Sequence, residues 1–337
     1  MGDDDSMTFN DVLEIKNGKN QKAVENPKGT YPIYGSGGVM GYADEYICKA
    51  DTIVIGRKGS INNPIYVDEP FWNVDTAFGL EAKEDVLKPH YLYYFCKKFD
   101  FERLNKAVTI PSLTKSDLLK IEINLPDLDE QQGIIDKLMK IEKIIQYRKD
   151  ELSSLDELIK ARFVEMFYEK GYPVLKWNDV FTTTTGKLDS NASDEKGTYP
   201  FFTCSKEVLR IDTFAFDQEA LLLAGNNAAG KYDVKYYNGK FNAYQRTYVL
   251  SLKENWSYRL FQYQLEDKLE YLKQQSLGGL TKYLTLKILG ELKFVIPPKE
   301  LQSEFETFVE QVDKSKVIAY TIYMNYSNRR SCHGNKF

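Results

Sequence analysis

Residues 9–32 read FNDVLEIKNGKNQKAVENPKGTYP, and residues 177–200 read WNDVFTTTTGKLDSNASDEKGTYP. The two align without a gap and share NDV, GK and KGTYP, which is 10 identities in 24. Further along, 112–126 (SLTKSDLLKIEINLP) matches 283–297 (YLTLKILGELKFVIP) at a shift of 171, against 168 for the first pair. PDLDEQQ (126–132) then meets PPKELQS (297–303), which sets Gln131 opposite Gln302. Chance likeness does not keep a nearly constant shift over such a span, so the chain is an internal duplication that accounts for most of its 337 residues.

Both copies carry the same order of signals. A short opening element leads to a Gly-Thr-Tyr-Pro turn, and β-rich stretches follow, such as Thr52–Gly56 and Leu221–Gly225, with aromatic strands over Tyr236–Tyr248. Helices are expected over His90–Leu104 and Tyr258–Gln274, and an Ile/Leu-rich strand closes each copy on Pro126 or Pro297. After each proline the period changes. Positions 134, 138, 141, 145, 148, 152, 155, 159, 162 and 166 step alternately by four and three, and only Arg148 and Arg162 among them are polar. This is a heptad seam, carried by Leu138, Ile141, Ile145, Leu152, Leu155 and Ile159. The second series runs through Leu301, Phe305, Phe308 and Val312 to Ser315, Ala319, Ile322 and Tyr326. Each helix has one apolar stripe to bury, and the other is its natural partner. The first would span about 57 Å at 1.5 Å per residue. The expected fold is α+β: two similar mixed α/β heads joined by a long antiparallel coiled coil, with an internal pseudo-two-fold repeat.

Composition narrows the chemistry. Hydrophobic residues make up 42% and aromatics 14%, enough for packed cores, and no apolar run reaches the roughly 18 residues of a membrane span. MGDDDSM (1–7) is polar and acidic, unlike a signal or transit segment, and Met7 is an alternative start. Cys48, Cys96, Cys204 and Cys332 lie far apart without a CxxC, as expected of free or buried thiols in a reducing cytoplasm. Two histidines, His90 and His333, leave little for a zinc site or a Ser-His-Asp triad. Net charge is −4, which gives nucleic-acid binding no support from the whole chain. Residues 173–296 nevertheless carry 16 Lys and Arg against 14 Asp and Glu, while 126–172 carry 8 against 11.

Two motifs invite a catalytic reading and fall short of it. GNNAAGK (225–231) approaches the phosphate-cradling GxxxxGK[ST], but Tyr232 replaces the hydroxyl that would meet magnesium, and strand-like sequence follows where a helix should begin. Asn63-Pro64-Ile65-Tyr66 approaches the [ND]PP[YF] of amino-methyltransferases, yet it lacks the second proline and a Gly-rich cofactor loop; YGSGG (34–38) sits in a turn. No carboxylate pair stands out as a general acid and base.

The duplication, the [LI]P step into a Gln-containing coiled coil, and LSSLDELIKARFVEMF (152–167) together resemble the specificity subunit of type I restriction–modification systems, from about Phe9 to about Lys316. That resemblance implies a non-catalytic chain with target-recognition domains at 8–125 and 173–296, each reading one half of a split, asymmetric DNA site. It makes 126–172 the central helix and spacer, 297–328 the C-terminal helix, and 329–337 a divergent tail. It implies two modification subunits carrying S-adenosylmethionine, with restriction subunits, ATP and magnesium for cleavage, in a prokaryotic cytoplasm. Self-association through the coiled coil is a further partner reading.

DNA contacts are expected in the loops where the copies diverge. In copy one these are Arg57, Lys58, Trp72, Asn73, Asp75, Thr114 and Lys115; in copy two, Asn226, Asn227, Lys231, Tyr244, Arg246, Thr281 and Lys282. Arg and Lys suit guanine or phosphate, and Asn suits adenine. For Trp72 and Tyr244 a place in the core competes with contact. The tail departs from the repeat: YMNYSNRRSCHG (323–334) stands where the first helix has LSSLDELIKARF, so the second helix is expected to end near Asn328 and leave the far end of the first partly unpaired. A stand-alone DNA-binding regulator and a coiled-coil scaffold whose heads never touch DNA are the rival readings.

Overall fold

A computed structural model describes residues 7–105, 110–228 and 230–333, the last six without their side chains. The chain divides into two compact units, one of residues 1–149 with 321–337 and one of residues 150–320.

In the first unit, β1 (Met7–Thr8), α1 (Phe9–Val12) and β2 (Leu13–Asn17) lead to a hairpin of β3 (Tyr31–Gly35) and β4 (Gly38–Ala43). β5 (Thr52–Gly56), β6 (Ile65–Val67), β7 (Trp72–Asn73) and β8 (Ala77–Ala82) follow, then α2 (Pro89–Lys98), α3 (Lys115–Leu118) and β9 (Glu122–Ile123). Besides the β1-β9 pair, two small sheets result, ordered β2-β8-β5-β6 and β4-β3-β7. The expected helix over His90–Leu104 is shorter: α2 stops at Lys98, and Asp100 caps a separate 3-10 turn, its side chain accepting from the Glu102 N–H. α4 (Leu128–Phe167) then begins.

The second unit repeats this order in β10 (Val174–Lys176), α5 (Trp177–Val180), β11 (Phe181–Thr185), β12 (Tyr199–Phe202), β13 (Leu209–Ile211) and β14 (Phe216–Ala224). It continues through β15 (Asn226–Ala228), β16 (Val234–Ala243), β17 (Thr247–Leu252), α6 (Tyr258–Glu266), α7 (Leu269–Gln275), β18 (Thr281–Tyr283), α8 (Leu286–Gly290), β19 (Lys293–Val295) and α9 (Lys299–His333). Here one six-stranded sheet, β11-β17-β14-β16-β12-β13, replaces the two of the first unit. The difference has a local cause. The ten-residue β16 corresponds to β6 and β7, which are separated by Asp68-Glu69-Pro70-Phe71. Proline has no N–H for a ladder, so the strand breaks there and the sheet with it.

The halves of the repeat correspond element by element in several places. α1 and α5 are four residues each, preceding five-residue strands at a shift of 168. The parallel pairs Ile33–Trp72 and Phe201–Asn242 occupy the same place. Cys48, Cys96 and Cys204 are free thiols, the first two buried, and burial pushes the Cys48 thiol up to about 12. Among the described residues no helix is long and apolar enough to cross a membrane.

The long helices bear out the heptad reading. All ten seam positions of α4 are buried or half-buried, as are seven of the eight in α9, Ser315 being exposed. In the second unit Ile159, Phe167, Phe305, Val309 and Val312 form a core with Leu260 of α6. Arg162 pairs with Glu304 at 2.6 Å and Lys316 with Asp156 at 2.6 Å, so numbers fall along α4 as they rise along α9 and the pairing is antiparallel. In the first unit Lys149 Nζ lies 5.9 Å over the Tyr323 ring, in the same sense. At the start of the seam Ile134 and Leu138 pack instead into the first unit's head core, with Ile135, Tyr91 and Phe95. The end of α9 also departs from expectation. The helix runs past Asn328 to His333, because 321–333 contains neither glycine nor proline.

Candidate nucleic-acid interface

β5 ends at Gly56, and Arg57 and Lys58 follow in a loop fixed by backbone. The Arg57 N–H donates to Thr76 O at 2.8 Å, and Arg57 O accepts from the Leu113 N–H at 2.9 Å. Lys58 forms a β-bridge with Ser112. The Arg57 guanidinium lies 5.7 Å above the Phe78 ring, and Asn17, Arg57, Lys58, Ser112, Thr114 and Lys115 line one open cleft. The structure therefore gathers four of the candidates of copy one. Their roles differ. Lys115 donates to Ile15 O at 2.7 Å and is half-buried, while Thr114 Oγ1 accepts from the Asp117 N–H at 3.2 Å and caps α3. Arg57 and Lys58 are exposed, and among the described residues neither has an ion-pair partner. Asp75 is exposed in the loop whose Thr76 holds Arg57.

Trp72 and Asn73 lie elsewhere, in the core. Trp72 is 7% exposed, packs with Ile33, Val54 and Phe71, and donates its indole N–H to Lys19 O at 3.0 Å. Asn73 is fully buried and donates from Nδ2 to Ala77 O at 3.2 Å. Both belong to β7, where successive side chains take opposite faces, and both faces are covered.

The second unit builds the same frame. The Gly225 N–H donates to Arg246 O at 2.9 Å, and Gly225 O accepts from the Leu284 N–H at 2.8 Å, repeating the two bonds of Arg57. Asn226 pairs with Tyr283 as Lys58 pairs with Ser112. Thr285 caps α8 through the Ile288 N–H at 3.3 Å, as Thr114 caps α3. GNNAAGK is thus β15 with a turn at Gly230 (φ 68°), paired antiparallel to Thr281 and Lys282 of β18, and no helix follows it. Asn226, Asn227, Lys231, Arg246, Thr281 and Lys282 converge at this end of the sheet, all exposed or half-exposed. The Asn227 side chain donates to Cys204 O at 3.3 Å, and the carbonyl of Arg246 faces the Cys204 thiol at 3.4 Å. Tyr248 donates to Leu284 O at 3.0 Å, tying β17 to the same segment, and burial raises its phenol. Tyr244 is half-buried at a turn closed by its carbonyl and the Thr247 N–H.

Charge concentrates here despite the net −4. Residues 225–231 and 273–287 contain Lys231, Lys273, Lys282 and Lys287 and no acidic residue. Lys273 pairs with Glu270 at 3.3 Å; Lys231, Lys282 and Arg246 have no ion pair among the described residues. An acid-free, cation-bearing rim with asparagines suits phosphates and base edges. The Gly-Gly turn expected before Thr281 and Lys282 is the tip of a hairpin, Leu277–Tyr283, closed by reciprocal bonds of 3.0 and 2.9 Å.

Residues 2–156 and 169–321 each match the family model described as Type I restriction modification DNA specificity domain. The specificity subunit of the type I restriction enzyme EcoDI from Escherichia coli is 35% identical over 152 residues, covering 43% of this chain and 33% of that protein. A putative type I specificity subunit of Mycoplasma pneumoniae, S.MpnORF285P, is 27% identical over 148 residues, 42% of this chain and 48% of the relative. The chain thus spans a third of one of these relatives and about half of the other. The solved S subunit of a type I restriction–modification system from M. genitalium shares the fold, with a TM-score of 0.69 at 18% identity over 100% of this chain and 97% of that one.

Proposed function

The chain belongs to the type I restriction–modification DNA specificity family, and from that premise we propose that it is a non-catalytic subunit reading a bipartite, asymmetric DNA site for a separate adenine methyltransferase. One observation carries this reading. Both heads pin the loop after an equivalent strand with the same pair of backbone bonds, yet present Arg57 and Lys58 in one and Gly225 and Asn226 in the other. A frame kept constant while its exposed side chains change is what two different half-sites require, since phosphate contacts set position and side chains at base edges set sequence.

The chemistry belongs to the partners. Two modification subunits would supply S-adenosylmethionine and flip the adenine, and restriction subunits, with ATP and magnesium, would cleave. The setting is the prokaryotic cytoplasm. The test is a methylation map: co-express the chain with its modification subunit in a host free of adenine methylation, and sequence the modified bases. A motif of two short half-sites around a fixed gap, lost when this chain is omitted, is the expected result. Methylation without sequence preference, or independent of this chain, would overturn the proposal.

A further inference from the structure

Leu280 is 96% exposed, and Leu277, Tyr283 and Leu286 around it are 47%, 41% and 59% exposed. Lone apolar side chains on a surface call for no explanation; four within ten residues, inside an acid-free segment bearing Lys273, Lys282 and Lys287, do. The backbone that carries Leu280 is stiff. Leu277 and Tyr283 exchange both N–H···O bonds, and Gly278 stands at φ 100°, where a Cβ would meet Thr281 O at 2.3 Å. On the far side of this hairpin, β18 pairs with β15, so Leu280 projects from the rim that holds Asn226, Asn227 and Lys282. The first head carries Ile110, 59% exposed, two residues before the bridge from Ser112 to Lys58.

We propose that Leu280 is an apolar wedge that enters the base stack of the half-site read by the second head, with Ile110, aligned one place beyond it, in the same role in the first. The inference rests on the DNA-reading role above. Water-exposed aliphatic side chains gain by entering an opened base step, and a cationic rim holds the flanking phosphates while they do so. A wedge on a preorganised hairpin needs no ordering at the moment of binding.

The test uses the full chain in complex with its modification subunits, on the duplex recovered by the methylation map, with 2-aminopurine placed at successive positions. Apart from the target adenines that the modification subunits flip, wild type is expected to raise the fluorescence at one step of the second half-site. Leu280→Ala should abolish that rise and weaken site-specific binding at least about tenfold, the worth of burying one leucine side chain. It should leave the salt dependence unchanged, because no charge is lost. Leu286→Ala should behave as wild type. An undiminished fluorescence rise and affinity in Leu280→Ala, or full recovery of both in Leu280→Lys, would overturn the wedge while leaving DNA reading intact. A wild-type complex that does not distinguish the mapped duplex from a scrambled one would instead remove the DNA-reading role itself.

Discussion

Lys58 and Asn226 hold equivalent places in the two heads, each bridged to the residue before a leucine that both copies share, Leu113 or Leu284. The difference between a lysine and an asparagine at one place is what an asymmetric site needs. Arg57→Ala and Lys58→Ala are expected to weaken binding of the mapped duplex and to lower the salt slope by about one per cation removed. A slope unchanged in both variants, measured by titration at several salt concentrations, would take these residues out of the interface. Trp72→Ala should act differently, costing about 3–5 kcal/mol of stability in urea melts while leaving the methylated motif as it was. The place of Arg57, Lys58 and Asn226 in exposed or half-exposed segments just after a strand was legible from the glycines beside them. Trp72 and Asn73 were not, since packing from distant segments covers both faces of this two-residue strand, which local sequence does not encode.

Among the elements, the clearest reading was the repeat itself, and Gln131 and Gln302 show why. Gln131 is fully buried, accepting from the Lys88 N–H at 2.9 Å and donating to Pro126 O at 2.8 Å and Val86 O at 2.9 Å. Gln302 accepts from the Ser257 N–H at 2.9 Å and donates to Pro297 O at 2.8 Å. Each amide fastens the first turn of a long helix to the N-terminus of its own head's helix. Gln302→Ala should destabilise by about 1–3 kcal/mol, the cost of buried backbone groups left without partners. Gln302→Glu, which keeps the acceptor but cannot donate when ionised, should not restore stability at neutral pH. Melts of Gln302→Glu indistinguishable from wild type would contradict this. The heptad seam was legible because its period is long and unbroken. The break between α6 and α7, the early stop of α2 and the interruption of β16's counterpart at Pro70 depend on single caps or missing donors, which a periodic pattern does not register.

At the scale of the molecule, two units each hold a head and part of both long helices, the division falling at Lys149/Asp150 and Tyr320/Thr321. The duplication made that plan legible, whereas the helical end of α9 was not, because loss of a heptad lowers packing without removing helix propensity. The duplicated plan implies that the heads can be altered one at a time. The most direct measurement is a second methylation map, made with Asn226→Ala, Asn227→Ala and Lys282→Ala combined in the second head, beside the map of the unaltered chain. One half-site should relax or change while the other half and the gap stay as they were. Changes in both halves, or in neither, would contradict a chain that reads its two half-sites with separate heads.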